Sequence, residues 1–220
     1  MKIKVCGITM LDQLIELQQM GIDYAGMIFY EQSSRFLSNK INAKEIQSSE
    51  LAIQKVGVFV NASEKEIMKK VEDYSLDVVQ LHGDETPVFC ANISSQVKVI
   101  KAFRLSQKDR INIDWMIKPF EEACDYYLLD TKADTGYGGT GEKFNWSVLE
   151  DNHINKPFFL SGGIGINDAE RIRQVHHPHL FAIDLNSGFE LQPGVKEMSK
   201  IRAFKQELNE NILLNEQGEV

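Results

Sequence analysis

The chain has 220 residues, with 24 Lys+Arg against 32 Asp+Glu (formal charge −8), 43% hydrophobic and 25% charged residues. That balance excludes a disordered chain, and the length suits one domain that buries roughly 70% of its unfolded surface without a disulfide or metal staple. The acidic excess argues against a nucleic-acid or membrane-surface partner, but it leaves room for a local pocket that binds an anion.

Three cysteines, Cys6, Cys90 and Cys124, form no CxxC pair, which suggests a reducing compartment. The opening MKIKVCGITM reaches charge and glycine too early for a signal peptide, and no apolar run approaches the ~18 residues of a membrane span. The chain reads as cytoplasmic.

Eight short apolar, β-branched runs follow in order: 3–8, 24–29, 55–60, 78–82, 98–104, 126–131, 158–164 and 182–187. Their mean spacing, about 27 residues, is that of one strand-helix unit. Several runs, such as VGVFV and FFL, are apolar at successive positions, as expected of strands covered on both faces. Helical spacing fills the intervals. Leu11, Leu14, Ile15 and Leu17 share a face, and Ile67 and Val71 follow a Ser63/Glu66 capping-box pair. Further helical spacing runs over 168–175 and over 197–208, the latter with Met198, Ile201, Phe204 and Leu208. The second and sixth helical segments are weakly patterned. With five prolines and no low-complexity linker, the reading is a single-domain α/β fold, a (β/α)8 TIM barrel over 1–208 with a frayed tail over 209–220.

Barrel chemistry sits at the C-terminal ends of the strands. Those ends carry Cys6, Arg35 in the following loop, Asn61, Gln80 with His82, Arg104, Asp130, Ser161-Gly162-Gly163, and Asp184 to Gly188. The glycines after runs seven and eight either make tight turns or let backbone N–H groups close on a phosphate. Cys6 is either a small buried hydrophobe or a group projecting into the barrel mouth. Asp130 ends an otherwise apolar run, so it is paired, solvated, or used in catalysis. His82 fits a satisfied strand-end histidine as well as a catalytic one. A thiol and a carboxyl across one mouth form a workable base and acid.

Two other patterns carry less. Gly136 to Gly141 matches G-x-G-x-x-G but follows run six and lacks a Lys-Ser/Thr ending, which suits an active-site loop better than a nucleotide site. His176, His177 and His179 surround Pro178 at a surface turn rather than forming a ligand set, so no metal is expected.

Lys4 to Thr9 (KVCGIT) resembles the opening signature of the phosphoribosylanthranilate isomerase family. The resemblance continues through Ser34-Arg35-Phe36, Val56 to Asn61, Val79 to Glu85, Leu128 to Thr131, and Gly138 to Gly141 with Phe144 and Trp146. It ends with Leu160 to Ile164, Asp184 to Glu190, and Pro193 to Lys196, covering about residues 2–204 in family order. Leu185-Asn186-Ser187-Gly188-Phe189-Glu190 stands where the family usually has Val-Ser-Ser-Gly-Val-Glu, and Lys196-Glu197 where it has Lys-Asp.

The resemblance implies an Amadori rearrangement in tryptophan biosynthesis with no cofactor. Asp130 would be the general acid and Cys6 the general base, its thiol pKa lowered by its surroundings. Arg35 would hold the anthranilate carboxylate, and Gly162, Gly163, Ser187 and Gly188 the phosphate. Gln80, His82 and Asp184 would complete the contacts to a phosphorylated sugar. It implies a monomer or homodimer. Three rival readings are a histidine-pathway or bifunctional sugar isomerase, a metal-dependent pentose-phosphate epimerase, and a non-catalytic phosphate-ligand-binding barrel. The histidine-pathway enzymes use paired aspartates where this chain has Cys6, and the epimerase needs more His and Asp ligands than the strand ends supply. The non-catalytic barrel predicts loss of the acid or base, and both are present.

Overall fold

A computed structural model describes residues 1–37, 40–105, 113–131, 146–149 and 152–215. The glycine-rich segment Gly136 to Gly141 and Phe144 lie outside these described residues.

All eight apolar runs are strands: β1 (Lys2–Cys6), β2 (Tyr24–Ile28), β3 (Gln54–Phe59), β4 (Val78–Leu81), β5 (Lys98–Leu105), β6 (Tyr126–Thr131), β7 (Phe158–Ser161) and β8 (Leu180–Leu185). They pair in parallel, in chain order, and β8 closes on β1. The crossovers carry α1 (Leu11–Gln19), α2 (Ala43–Ser48), α3 (Glu64–Tyr74), α4 (Pro87–Ser94), α5 (Ile113–Ile117) and α6 (Ala169–Arg173), and α7 (Met198–Asn215) follows the last strand. The weak second segment is the six-residue α2, and the sixth interval holds a 3-10 turn at Trp146–Leu149. The Ser63/Glu66 box is formed, with Glu66 Oε2 accepting from the Ser63 N–H at 2.9 Å.

Seven of the eight runs agree with their strands to within two residues at each end; β7 and the helix before β8 depart further, each for a local reason. β7 stops at Ser161 because Gly162 and Gly163 adopt φ of +104° and +65°, a left-handed turn that breaks the ladder. The helix expected over 168–175 is split into a 3-10 turn (Ile166–Asp168) and α6, with Asp168 Oδ2 accepting from the Gly165 N–H at 2.8 Å. After β8 the chain makes a 3-10 turn (Ser187–Phe189) and an antiparallel hairpin, β9 (Glu190–Gln192) with β10 (Val195–Lys196).

The two-residue period of the strands sorts side chains between two cores. One set, with Ile3, Val5, Val79, Leu129 and Ile183, packs outward against the helices. The other, Tyr24, Val56, Val78, Ile100, Ala102, Leu128, Phe159 and Ala182, fills the barrel. Phe159 meets Tyr24, Tyr126 and Phe181 with centroids 5.4–5.8 Å apart. Above this apolar plug the inward positions turn polar: Lys4 and Cys6, Gln80 and His82, Asp130, Asp184.

One buried ion pair shapes the rim beside the mouth. Lys101 Nζ donates to Glu85 Oε2 (2.8 Å) and to the Gly83 carbonyl (2.7 Å), while Glu85 Oε1 accepts from the Asn61 N–H (2.9 Å). Both side chains are buried, so removing either partner strands a charge without solvent. Lys101→Met should therefore lower unfolding free energy by about 3–5 kcal/mol in urea titration. A loss below about 1 kcal/mol, the range of an exposed pair, would contradict this role.

Candidate active site

A pocket of about 250 Å³ opens at the C-terminal ends of the strands. Of the residues expected at the site, Cys6, Arg35, Gln80, His82, Asp130, Gly162, Gly163, Asp184 and Ser187 all line it. Gly188 lies behind the rim, where a Cβ would come 2.3 Å from the Ile164 carbonyl, so only glycine allows the two phosphate-candidate loops to touch.

Cys6 ends β1 on one wall. Its neighbour on β2 is Gly26, and any Cβ there would fall 2.7 Å from the sulfur, so that glycine makes room for the thiol. Two residues earlier on the same inward face, Lys4 is fully buried with Nζ 2.9 Å from Asp184 Oδ1. Burial pulls the Lys4 ammonium down, but Asp184 and Cys6 outweigh it and hold Lys4 above its ordinary pKa, charged. The thiol departs from expectation. Burial pushes Cys6 up by more than Lys4 and Lys196 pull it down, and Asp184 adds to the rise, so the surroundings raise its pKa instead of lowering it.

Asp130, the penultimate residue of β6, stands across the barrel. His82 Nε2 stands 3.6 Å from its Oδ2, and Gln80 Nε2 lies 2.8 Å from His82 Nδ1. Arg35 reaches the pocket from the loop after β2, and Gly7, with φ of +79°, leaves space for its stem. Its fork is engaged by the chain itself: Nε lies 2.9 and 3.0 Å from the two Glu190 oxygens, and a terminal nitrogen 2.6 Å from Oε2. Burial pushes the Glu190 carboxyl up, but hydrogen bonds from Arg35, Lys196 and the Gly194 N–H overcome it and hold it below its ordinary range. Lys196 Nζ bridges Glu190 Oε1 (2.7 Å) to Asn186 Oδ1 (2.8 Å), so Asn186 lines the pocket with its carbonyl already engaged. At the rim, the position a Gly163 Cβ would take is open space.

Sequence reasoning missed Lys4 and Gly26 as parts of the site. The available signal was spacing: a lysine inside an apolar strand, in phase with the cysteine two residues on. The His176–His179 turn precedes β8, at the end of the barrel away from the mouth, and His177 Nε2 lies 3.4 Å from the Asn152 carbonyl. Among the described residues no group of three or more His, Cys, Asp or Glu side chains is placed to hold a metal ion, and no helix is long and apolar enough to cross a membrane.

Comparison with known proteins agrees with the layout. Residues 3–207 match the family model described as N-(5′-phosphoribosyl)anthranilate (PRA) isomerase. The N-(5′-phosphoribosyl)anthranilate isomerase of Parabacteroides distasonis is 41% identical over 210 residues, covering 94% of this chain and 93% of the relative. The crystal structure of the Thermotoga maritima phosphoribosylanthranilate isomerase superposes with a TM-score of 0.82 at 31% identity, covering 95% and 98% of the two chains. A phosphoribosylanthranilate isomerase in complex with reduced 1-(o-carboxyphenylamino)-1-deoxyribulose 5-phosphate superposes with a TM-score of 0.80 at 29% identity, with the same coverage. Ordered motifs, a closed eight-stranded barrel and matches along nearly the whole length thus agree, and the chain belongs to the phosphoribosylanthranilate isomerase family.

Proposed function

We propose that this chain converts N-(5′-phosphoribosyl)anthranilate to 1-(2-carboxyphenylamino)-1-deoxyribulose 5-phosphate, a step of tryptophan biosynthesis, with Asp130 as general acid and Cys6 as general base. The observation that carries the residue roles is that these two side chains, from strands across the barrel, face one small pocket with glycine loops on its rim.

The Asp130 carboxyl proton passes to the furanose ring oxygen as the C1′–O bond breaks, and the anthranilate nitrogen lone pair forms the C1′=N iminium. The iminium acidifies the C2′ proton, which the Cys6 thiolate removes; the C–H electrons become the C1′=C2′ bond of an enolamine. The enolamine loses its C2′ hydroxyl proton and gains one at C1′, giving the aminoketose. Because the iminium is itself the electron sink, a modest base suffices. The backbone N–H groups of Gly163, Ser187 and Gly188 suit the phosphate. Arg35, anchored by Glu190, suits the anthranilate carboxylate with the part of its guanidinium that Glu190 leaves free.

Burial raises the Cys6 thiol pKa, so the thiol must first release its own proton to solvent through the open pocket before it takes the C2′ proton, and Lys4 and Lys196 limit the cost of that ionisation. Cys6→Ala and Asp130→Asn should each lower kcat by about 10²–10⁴-fold with KM nearly unchanged. Turnover near the parent value would remove that residue from the mechanism. The sign of the thiol shift is testable without substrate. A raised pKa means that alkylation of Cys6 by iodoacetamide, followed by peptide mass spectrometry, accelerates about tenfold per pH unit from pH 7 to 9. Cys90 and Cys124, pushed up to about 11 and about 12, should accelerate in the same way. A Cys6 rate already level at pH 7 would show a lowered pKa.

A further inference from the structure

Gln80 on the inward face of β4 and His82, one residue past the strand's end, both line the pocket, and the chemistry above leaves both unused. Gln80 is 1% exposed, and its Oε1 is buried with no hydrogen-bond partner among the described residues. Its Nε2 lies 2.8 Å from His82 Nδ1. An amide NH2 only donates, so Nδ1 is the acceptor and the imidazole hydrogen resides on Nε2. That Nε2–H faces Asp130 Oδ2 at 3.6 Å, longer than a hydrogen bond and short enough to close as charge develops. Arg104 donates to the His82 carbonyl at 3.1 Å and pins the backbone that presents the ring.

Reversing the amide would leave two donors without partners at the pocket floor and point an imidazole lone pair at Asp130 Oδ2, which becomes anionic once the acid has given up its proton. The arrangement seen instead keeps an acceptor free inside the pocket, where an open-chain sugar offers hydroxyl groups.

We propose that Gln80 is a positioning residue: its NH2 fixes His82 in the Nε2–H form, which orients Asp130 and stabilises its carboxylate after proton transfer, while its buried Oε1 accepts a sugar hydroxyl. The carboxyl proton then rides on the other Asp130 oxygen, turned toward the substrate, and the donor for the new anion is already in place. This rests on Asp130 as the general acid.

The tautomer is read in the substrate-free protein by long-range ¹H–¹⁵N NMR, with His82→Asn assigning the signal. The parent should show a neutral ring protonated at Nε2. Gln80→Glu keeps an oxygen at the Oε1 position but offers Nδ1 an acceptor, so the ring should become Nδ1-protonated or cationic. Its kcat should fall about 10²-fold with KM nearly held. Gln80→Met removes donor and acceptor together and should raise KM as well. An Nδ1–H ring in the parent, or Gln80→Glu turning over within threefold of it, overturns the proposal. If Asp130→Asn keeps full activity while the parent ring is Nε2–H, the acid assignment fails and the Gln80–His82 pairing stands.

Discussion

The site depends on a charge buried where the barrel closes. Lys4 on β1 and Asp184 on β8 are register partners across the closing seam, and their side chains meet at 2.9 Å with almost no exposure. A one-residue slip of β1 against β8 would turn Lys4 and Cys6 outward and leave Asp184 buried without its partner. Removing one partner alone costs about 3–5 kcal/mol, because the other charge stays behind without water. The pair therefore fixes the register that places Cys6 at the mouth, and its ammonium is also the nearest counter-charge for a thiolate.

A second network ties the moving parts of the chemistry to this seam. The β9–β10 hairpin brings Glu190 and Lys196 under the mouth, where they hold Arg35 from the β2 loop and Asn186 from the β8 loop. Gln13 of α1 exchanges two hydrogen bonds with the Lys196 backbone, and Thr9 donates to the Gly194 carbonyl. The loops after β1, β2 and β8 are thus held by one set of polar contacts. A pocket that must orient a carboxylate at one end and a phosphate at the other gains from such rigidity.

The eight strands were legible because parallel strands covered on both faces leave continuous apolar runs, and Cys6 and Asp130 stood out as polar ends of such runs. The Ser63/Glu66 cap was legible because its spacing is local. The spacing of Lys4 from Cys6 was legible but its partner was not, since Asp184 lies 180 residues away and only the closed barrel brings them together. The same distance in sequence hid the Arg35–Glu190 grip. The direction of the Cys6 shift was hidden for another reason: it is a balance between burial and two lysines, and only coordinates show that burial wins. The shortened β7 was foreshadowed by Gly162-Gly163, whose left-handed φ values end the strand three residues before the apolar pattern does.

The central claim is that one small molecule is held between residue 6 and residue 130 with its phosphate against the glycine loops. A crystal structure of this protein with the reduced aminoketose phosphate bound tests it most directly. With the substrate seated as proposed, phosphate oxygens should lie on the backbone N–H groups of Gly163, Ser187 and Gly188, C2′ within about 4 Å of the Cys6 sulfur, and the O4′ hydroxyl facing Asp130. A ligand whose sugar lies beyond the reach of both side chains, or whose phosphate sits elsewhere, would contradict it.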